Sequence, residues 1–411
     1  MNPLELTLGI MTAVGGFVDI SELVFAAQAG SIFGYALIWA FAFSTVGIMV
    51  FGEMSGRVAA IAKQPVFTLM RHRLGLKLGL VTLAASLLST VITCAAEVGG
   101  MGLILNHLTG APYLLMAVVS MVALMASMWI LPFKWIERSY GLLGLLMLVF
   151  AAALVAIHPP WDRIAGGFVP QVPHGLSVKE SLKFAYFGVA ILSAVMFPYE
   201  AYFYSSGGIE EGWSAKDLLT NRVTATVGLA LGSLLAISIL ANSAQLFGPV
   251  GVAPELPGSS AMEPAIPFGK AGLLMALLGM LFAVAGAAVE TCMANAYSVS
   301  QFFGWEWGRR DKPWDAPRFT IAWIALLLLA LAIVLTGVDV MSLVEYAVVF
   351  SIVVLPLTYL PLMLLAGDKT YMGRFANKWL AKGLGWLFFV IVTAAAIAAV
   401  PLFLLTSGGQ G

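Results

Sequence analysis

The chain has 411 residues, of which 61% are hydrophobic and 10% charged, and its mean hydropathy is +0.96. A soluble domain carries about 25% charged residues, so a soluble globular fold is excluded. The 21 basic and 21 acidic residues cancel, which removes any electrostatic case for binding nucleic acid.

Apolar runs of about 20 residues, each able to cross a hydrocarbon core about 30 Å thick, recur along the whole length. They predict an all-α membrane protein with eleven spans, at 7–30, 35–60, 79–106, 113–131, 139–157, 181–206, 223–246, 269–303, 317–337, 340–366 and 384–406. The first run is expected to be a span rather than a cleavable signal, because no basic segment precedes it. It carries Gly15 and Gly16, then Asp19 and Glu22 at its centre. Span two ends on Glu53 and Arg57. Span three holds Cys94 and Glu97, and spans four and five have no ionisable group in their interiors. Span six contains Pro198 followed by Glu200, with Tyr199, Tyr202 and Tyr204 around them. Span eight holds Glu290 and Cys292, and span ten holds Glu345. The two cysteines lie in separate apolar runs. They give no disulfide framework and leave a thiolate metal-ligand pair open.

The basic residues orient the chain. With a cytoplasmic N-terminus, 17 of the 21 fall in inward-facing connections: Arg57, Lys63, Arg71, Arg73 and Lys77; Lys134 and Arg138; Lys216 and Arg222; Arg309, Arg310, Lys312 and Arg318; and Lys369, Arg374, Lys378 and Lys382. Only Arg163, Lys179, Lys183 and Lys270 fall on the other side. This asymmetry predicts a cytoplasmic N-terminus and an external C-terminus.

Seven acids, Asp19, Glu22, Glu53, Glu97, Glu200, Glu290 and Glu345, lie in or near spans that hold no basic residue well inside them. An ionisable group at mid-membrane costs at least about 2.5–3.5 kcal/mol, so each must bind a cation, carry a proton or stay neutral. Neutral packing is the expected state of Glu53 and Glu345. Asp19, Glu22 and Glu200 differ because of where they sit. Spans one and six begin two five-span halves, about 7–157 and 181–366, and both are interrupted beside an acid. Matching interruptions in inverted halves point to a midplane binding site. Proline removes a backbone donor and breaks a helix, which frees carbonyls next to the carboxylates. Such an oxygen-rich cage suits hard cations.

These stretches resemble the Nramp family of divalent-metal transporters over nearly the full length. The run from Phe25 to Trp39 is similar to the family's first-span exit and second-span start. Met54-Ser55-Gly56-Arg57 is similar to the end of its second span, and Thr93-Cys94-Ala95-Ala96-Glu97 to its third-span T-D-x-A-E motif. Met196-Phe197-Pro198-Tyr199-Glu200-Ala201-Tyr202-Phe203-Tyr204-Ser205 is similar to its M-P-H-N-x-Y-x-H-S motif. The Pro356 and Pro361 spacing and the run from Tyr371 to Asn377 are similar to its tenth span and following loop. The resemblance implies a LeuT-type 5+5 inverted repeat plus one helix (384–406), all within one transmembrane domain spanning 1–411. It also implies broken helices one and six, alternating access and a metal site between them.

Departures from the family pattern fall at that site. The family's D-P-G-N is Asp19-Ile20-Ser21-Glu22 here, so an Asn ligand becomes Glu22. Aligned on the proline, the methionine becomes Phe197, the following histidine Tyr199 and the Asn Glu200. A tenth-span Gln becomes Val354, the third-span Asp becomes Cys94, and the second sixth-span His becomes Tyr204. A soft thioether is lost and carboxylates are gained, which favours a hard ion. Family branches lacking the methionine are associated with magnesium or aluminium. The expected metal ligands are Asp19, Glu22 and Glu200 with the backbone carbonyls near Ala194 and Phe17. Glu97, Glu290, Tyr199 and Tyr204 are expected along the substrate or proton route. With Cys94 replacing an acid and both histidines gone, proton coupling is in question. Met196 is expected to pack rather than ligate.

No nucleophile–base pair, phosphate loop or zinc spacing occurs, so the chain is read as a transporter and not an enzyme. Its metal ion, Mg²⁺ or Mn²⁺ in kind, is cargo rather than cofactor. The bilayer is its other partner, and a monomer in a prokaryotic inner (plasma) membrane is expected. The alternative is a same-fold transporter of an organic ammonium compound or small polar solute.

Overall fold

The computed structural model describes residues 18–254, 257–308 and 312–409. Among these residues, ten helices are long and apolar enough to cross a membrane, and an eleventh, shorter apolar helix precedes them. In chain order they are α1 (Ile20–Phe33), α2 (Ile38–Ala62), α3 (Leu76–Thr109), α4 (Tyr113–Ile130), α5 (Trp135–Ala156), α6a (Val178–Val195), α6b (Pro198–Glu210), α7 (Leu218–Val250), α8 (Met262–Phe303), α9 (Pro317–Leu335), α10 (Val340–Gly367) and α11 (Trp379–Thr406). The eleven predicted spans therefore all find a helix. The first half of span one, including Gly15, Gly16 and Phe17, lies outside the described residues, as do Arg309 and Arg310.

Local sequence sets the helix ends. Asp19 and Asp339 cap α1 and α10 by accepting backbone N–H groups through their side chains, and Ser177 with Glu180 forms a reciprocal capping box at the start of α6a. Span eight starts earlier than hydropathy indicates. A turn at Gly269 with φ 60° and ψ −144° joins a short segment from Met262 to the long helix, and only glycine adopts that backbone readily.

The bundle is held by close helix contacts. α1 packs along α7, α3 sits between α8 and α10, and α6b lies against α2 and α8. A methyl group at Gly30 would fall 2.1 Å from the Leu240 carbonyl oxygen, so the α1–α7 approach requires glycine there. Leu115 and Val122 on α4, Ile321 and Leu328 on α9, and Val390, Ile397 and Leu404 on α11 are exposed, as a lipid-facing surface demands. The fold is the LeuT type, with α6 broken in mid-span and α1 opening at Ile20 after an extended Asp19.

Candidate metal-ion site

α6a ends at Val195. Met196 (φ −115°, ψ 50°) and Phe197 (φ −61°, ψ 139°) leave the helical region, and α6b restarts with Pro198 at its first position. Pro198 has no N–H to offer the Ala194 carbonyl four residues earlier, so that oxygen loses its helical donor. The Met196 carbonyl instead accepts a hydrogen bond from the Tyr359 hydroxyl at 3.1 Å. α1 too begins after an extended residue. Asp19 is extended (φ −92°, ψ 173°), and its carboxylate accepts the Glu22 N–H at 2.9 Å.

Glu22 and Glu200 thus occupy the same place, the third residue of a helix that starts inside the bundle. Carboxylates there are favoured by the positive helix end. Asp19 and Glu22 are each 2% exposed and Glu200 is 5% exposed. Asp19 Oδ2 and Glu200 Oε2 accept no hydrogen bond from the protein. Electrostatic interaction links Glu200 with Glu290, Glu22 and Asp19, and links Glu97 with Asp19 and Glu290. The Glu53–Arg57 and Arg73–Asp368 ion pairs involve none of Asp19, Glu22, Glu97 and Glu200. Such a group lowers its energy by taking up positive charge. Among the described residues, no three His, Cys, Asp or Glu side chains already converge as a closed metal cage.

The Tyr199 hydroxyl accepts and donates no hydrogen bond and lies in the field of Glu97, Asp19, Glu200 and Glu290. Glu97 Oε1 accepts from the Thr291 hydroxyl at 3.1 Å, while its Oε2 has no partner. Glu290 also lines a small cleft between α5 and α8, together with Glu137. Tyr204 lies apart from these groups. Its hydroxyl donates to the Asn221 carbonyl at 3.1 Å, and its ring meets Trp213. Phe17 lies outside the described residues.

A scan against family models matches residues 9–401 to the family described as natural resistance-associated macrophage protein-like. The chain belongs to the Nramp family. It is 26% identical over 410 residues to the divalent metal cation transporter MntH of Ralstonia nicotianae, covering 94% of this chain and 88% of that one. The crystal structure of the Eremococcus coleocola manganese transporter superposes with a TM-score of 0.72 at 18% identity, covering 97% of this chain and 86% of the other. MhsT in complex with L-phenylalanine shares the fold at a TM-score of 0.64 and 17% identity, over 98% of each chain.

The family's departures can now be placed. The Met196 thioether is turned towards α2 and α11, where a methyl at Gly47 would fall 2.7 Å from its sulfur and Phe388 lies alongside, so it packs away from the carboxylates. Phe197 instead tilts against Tyr199 with ring centroids 5.4 Å apart. Val354, at the family's Gln position, is buried at 5% exposure.

The structure also corrects the picture of acids without bases at one point. Glu53 pairs with Arg57 at 3.0 Å, and Arg57 reaches the Phe375 carbonyl at 2.5 Å and Asn377 Oδ1 at 2.7 Å. Their spacing of four residues on one helix was a visible signal. Glu263 was missed altogether. It is fully buried beside Asn242, because the Gly269 turn folds its segment inward.

Proposed function

We propose that this chain is a secondary transporter that carries divalent metal cations through the bilayer by alternating access, with Asp19, Glu22 and Glu200 as carboxylate ligands and the Ala194 carbonyl beside them. The observation that carries this reading is the paired third-position carboxylates, Glu22 and Glu200, buried where two helices begin inside the bundle. The relatives' activities, divalent metal cation and manganese transport, agree with it. The cargo is the metal, and the chain needs no resident cofactor for this cycle. A non-metal solute is not favoured.

The finer reading is a preference for a hard ion such as Mg²⁺ or Mn²⁺. It is supported by the side chains that now surround the break: carboxylates on both half-helices, a phenyl ring at Phe197 and a Met196 sulfur packed elsewhere. Phe17 completes the proposed ligand set through its carbonyl. Glu97, Glu290 and Tyr199 line the route, with Tyr204 at its cytoplasmic end. The membrane potential, worth about 2.3 kcal/mol per charge per 100 mV, supplies the drive for a dication entering a cell, with Glu97 as the group left to handle a proton. In this reading the membrane is a prokaryotic inner membrane, and the loop charges support an N-terminus facing its cytoplasm.

The test is uptake by purified protein in liposomes under an imposed inward-negative potential. Mg²⁺ and Mn²⁺ are expected to enter and to compete with each other. If no divalent cation moves under any ion gradient or potential, the function is wrong.

A further inference from the structure

Cys94 on α3 and Cys292 on α8 face one another across the helix contact, both fully buried and outside any disulfide, with their sulfurs 3.7 Å apart in a thiol–thiol hydrogen bond. That separation discriminates between two chemistries. A disulfide needs the sulfurs at about 2.05 Å, so the helices would have to close in on each other. Two thiolates each about 2.3 Å from one tetrahedral ion lie about 3.8 Å apart, so a chelate needs almost no movement.

The surroundings favour a cation as well. Glu97 lies one turn along α3 in electrostatic interaction with Cys94, and its Oε2 is buried with no hydrogen-bond partner. Thr291, next to Cys292, holds the other oxygen of the same carboxylate at 3.1 Å. We propose that Cys94 and Cys292 form a second metal site, a dithiol claw between α3 and α8 that binds one soft, thiophilic dication such as Cd²⁺ or Zn²⁺, separate from the carboxylate site for hard ions.

Charge balance makes this possible in a dry interior. Each S–H bond breaks and its proton leaves to solvent, two metal–sulfur bonds form, and one dication replaces two protons. The buried region therefore keeps its net charge, and no oxidant is involved. A bare dication lodged at the same depth would face a large desolvation cost.

The chain contains only two cysteines, so every cadmium–thiolate signal must come from this pair. The experiment titrates the purified full chain with Cd²⁺ and reads thiolate-to-cadmium charge-transfer absorption together with protons released. Wild type is expected to saturate at one Cd²⁺ per chain with two protons released, and C94S and C292S are each expected to lose the signal. C94A and C292A, checked for monodispersity, serve where a serine variant fails to fold. Glu200→Gln is expected to keep the signal in full, which separates this claw from the carboxylate site. An absent band in wild type, or a band of equal strength in C94S and C292S, overturns the proposal, as does its loss in Glu200→Gln alone.

Discussion

Replacing Glu200 with Gln tests the carboxylate site through two effects of opposite sign. The substitution keeps shape, the third helical position and one ligand oxygen, and it removes only the charge. Glu200 is buried first of all, and the charged groups acting on it, Glu290, Glu22 and Asp19, are all acidic. Without metal, the variant is therefore relieved of like-charge repulsion and should unfold at a temperature no lower than wild type. With metal, the sign reverses. Removing one partner of a buried charge pair costs about 3–5 kcal/mol, which weakens binding by about a hundredfold or more. At a metal concentration of about one hundred times the wild-type Kd, wild type gains about 2.7 kcal/mol of stability, and the variant, now near its own Kd, gains about 0.4 kcal/mol or less. Thermal unfolding in detergent with and without Mn²⁺ or Mg²⁺ reads both effects, and calorimetry on the same samples reads the affinity. A variant that keeps the full metal-induced stabilisation would remove Glu200 from the site. A metal-free variant clearly less stable than wild type would show that its carboxylate is satisfied by the protein, which refutes the reasoning from charge.

Two further outcomes follow from interactions away from the carboxylates. Arg57→Met leaves Glu53 without its guanidinium and frees the Phe375 carbonyl and Asn377. The arginine side chain is 9% exposed and Glu53 20%, so a loss of about 2–3 kcal/mol is expected, and Glu53→Gln in the same background should recover part of it. Equal unfolding temperatures for wild type and Arg57→Met would rule out this latch. At the C-terminal end of α10, the exposed Arg73 guanidinium, 2.9 Å from Asp368, and the Thr370 N–H hold the Asp368 carboxyl down at about 2, below its ordinary 3.8. A depressed carboxyl stabilises the fold above its ordinary value and loses that contribution as pH falls towards 2. Asp368→Asn should therefore differ from wild type at neutral pH and converge with it as pH drops through this window. A constant difference across the titration would show that the pair is electrostatically idle.

The bilayer shaped nearly everything that the sequence alone made legible. Water is absent from the hydrocarbon core, so every span must satisfy its own backbone as a helix, and runs such as 113–131 and 317–337 announce α4 and α9 by hydropathy alone. The break in span six was equally readable, because Pro198 cannot donate to Ala194 in any tertiary context. Those are local facts, carried by composition and by one missing N–H. Tertiary structure decided which buried groups meet. Only helix packing brings Cys94 within 3.7 Å of Cys292, 198 positions away, or sets Thr291 against Glu97. Only the turn at Gly269 carries Glu263 inward from what reads as a loop. The relation of Glu22 to Glu200 needed both levels: sequence gives each acid its place beside an interruption, while each lies in the other's field because two chain halves, distant in sequence, fold around the same interior.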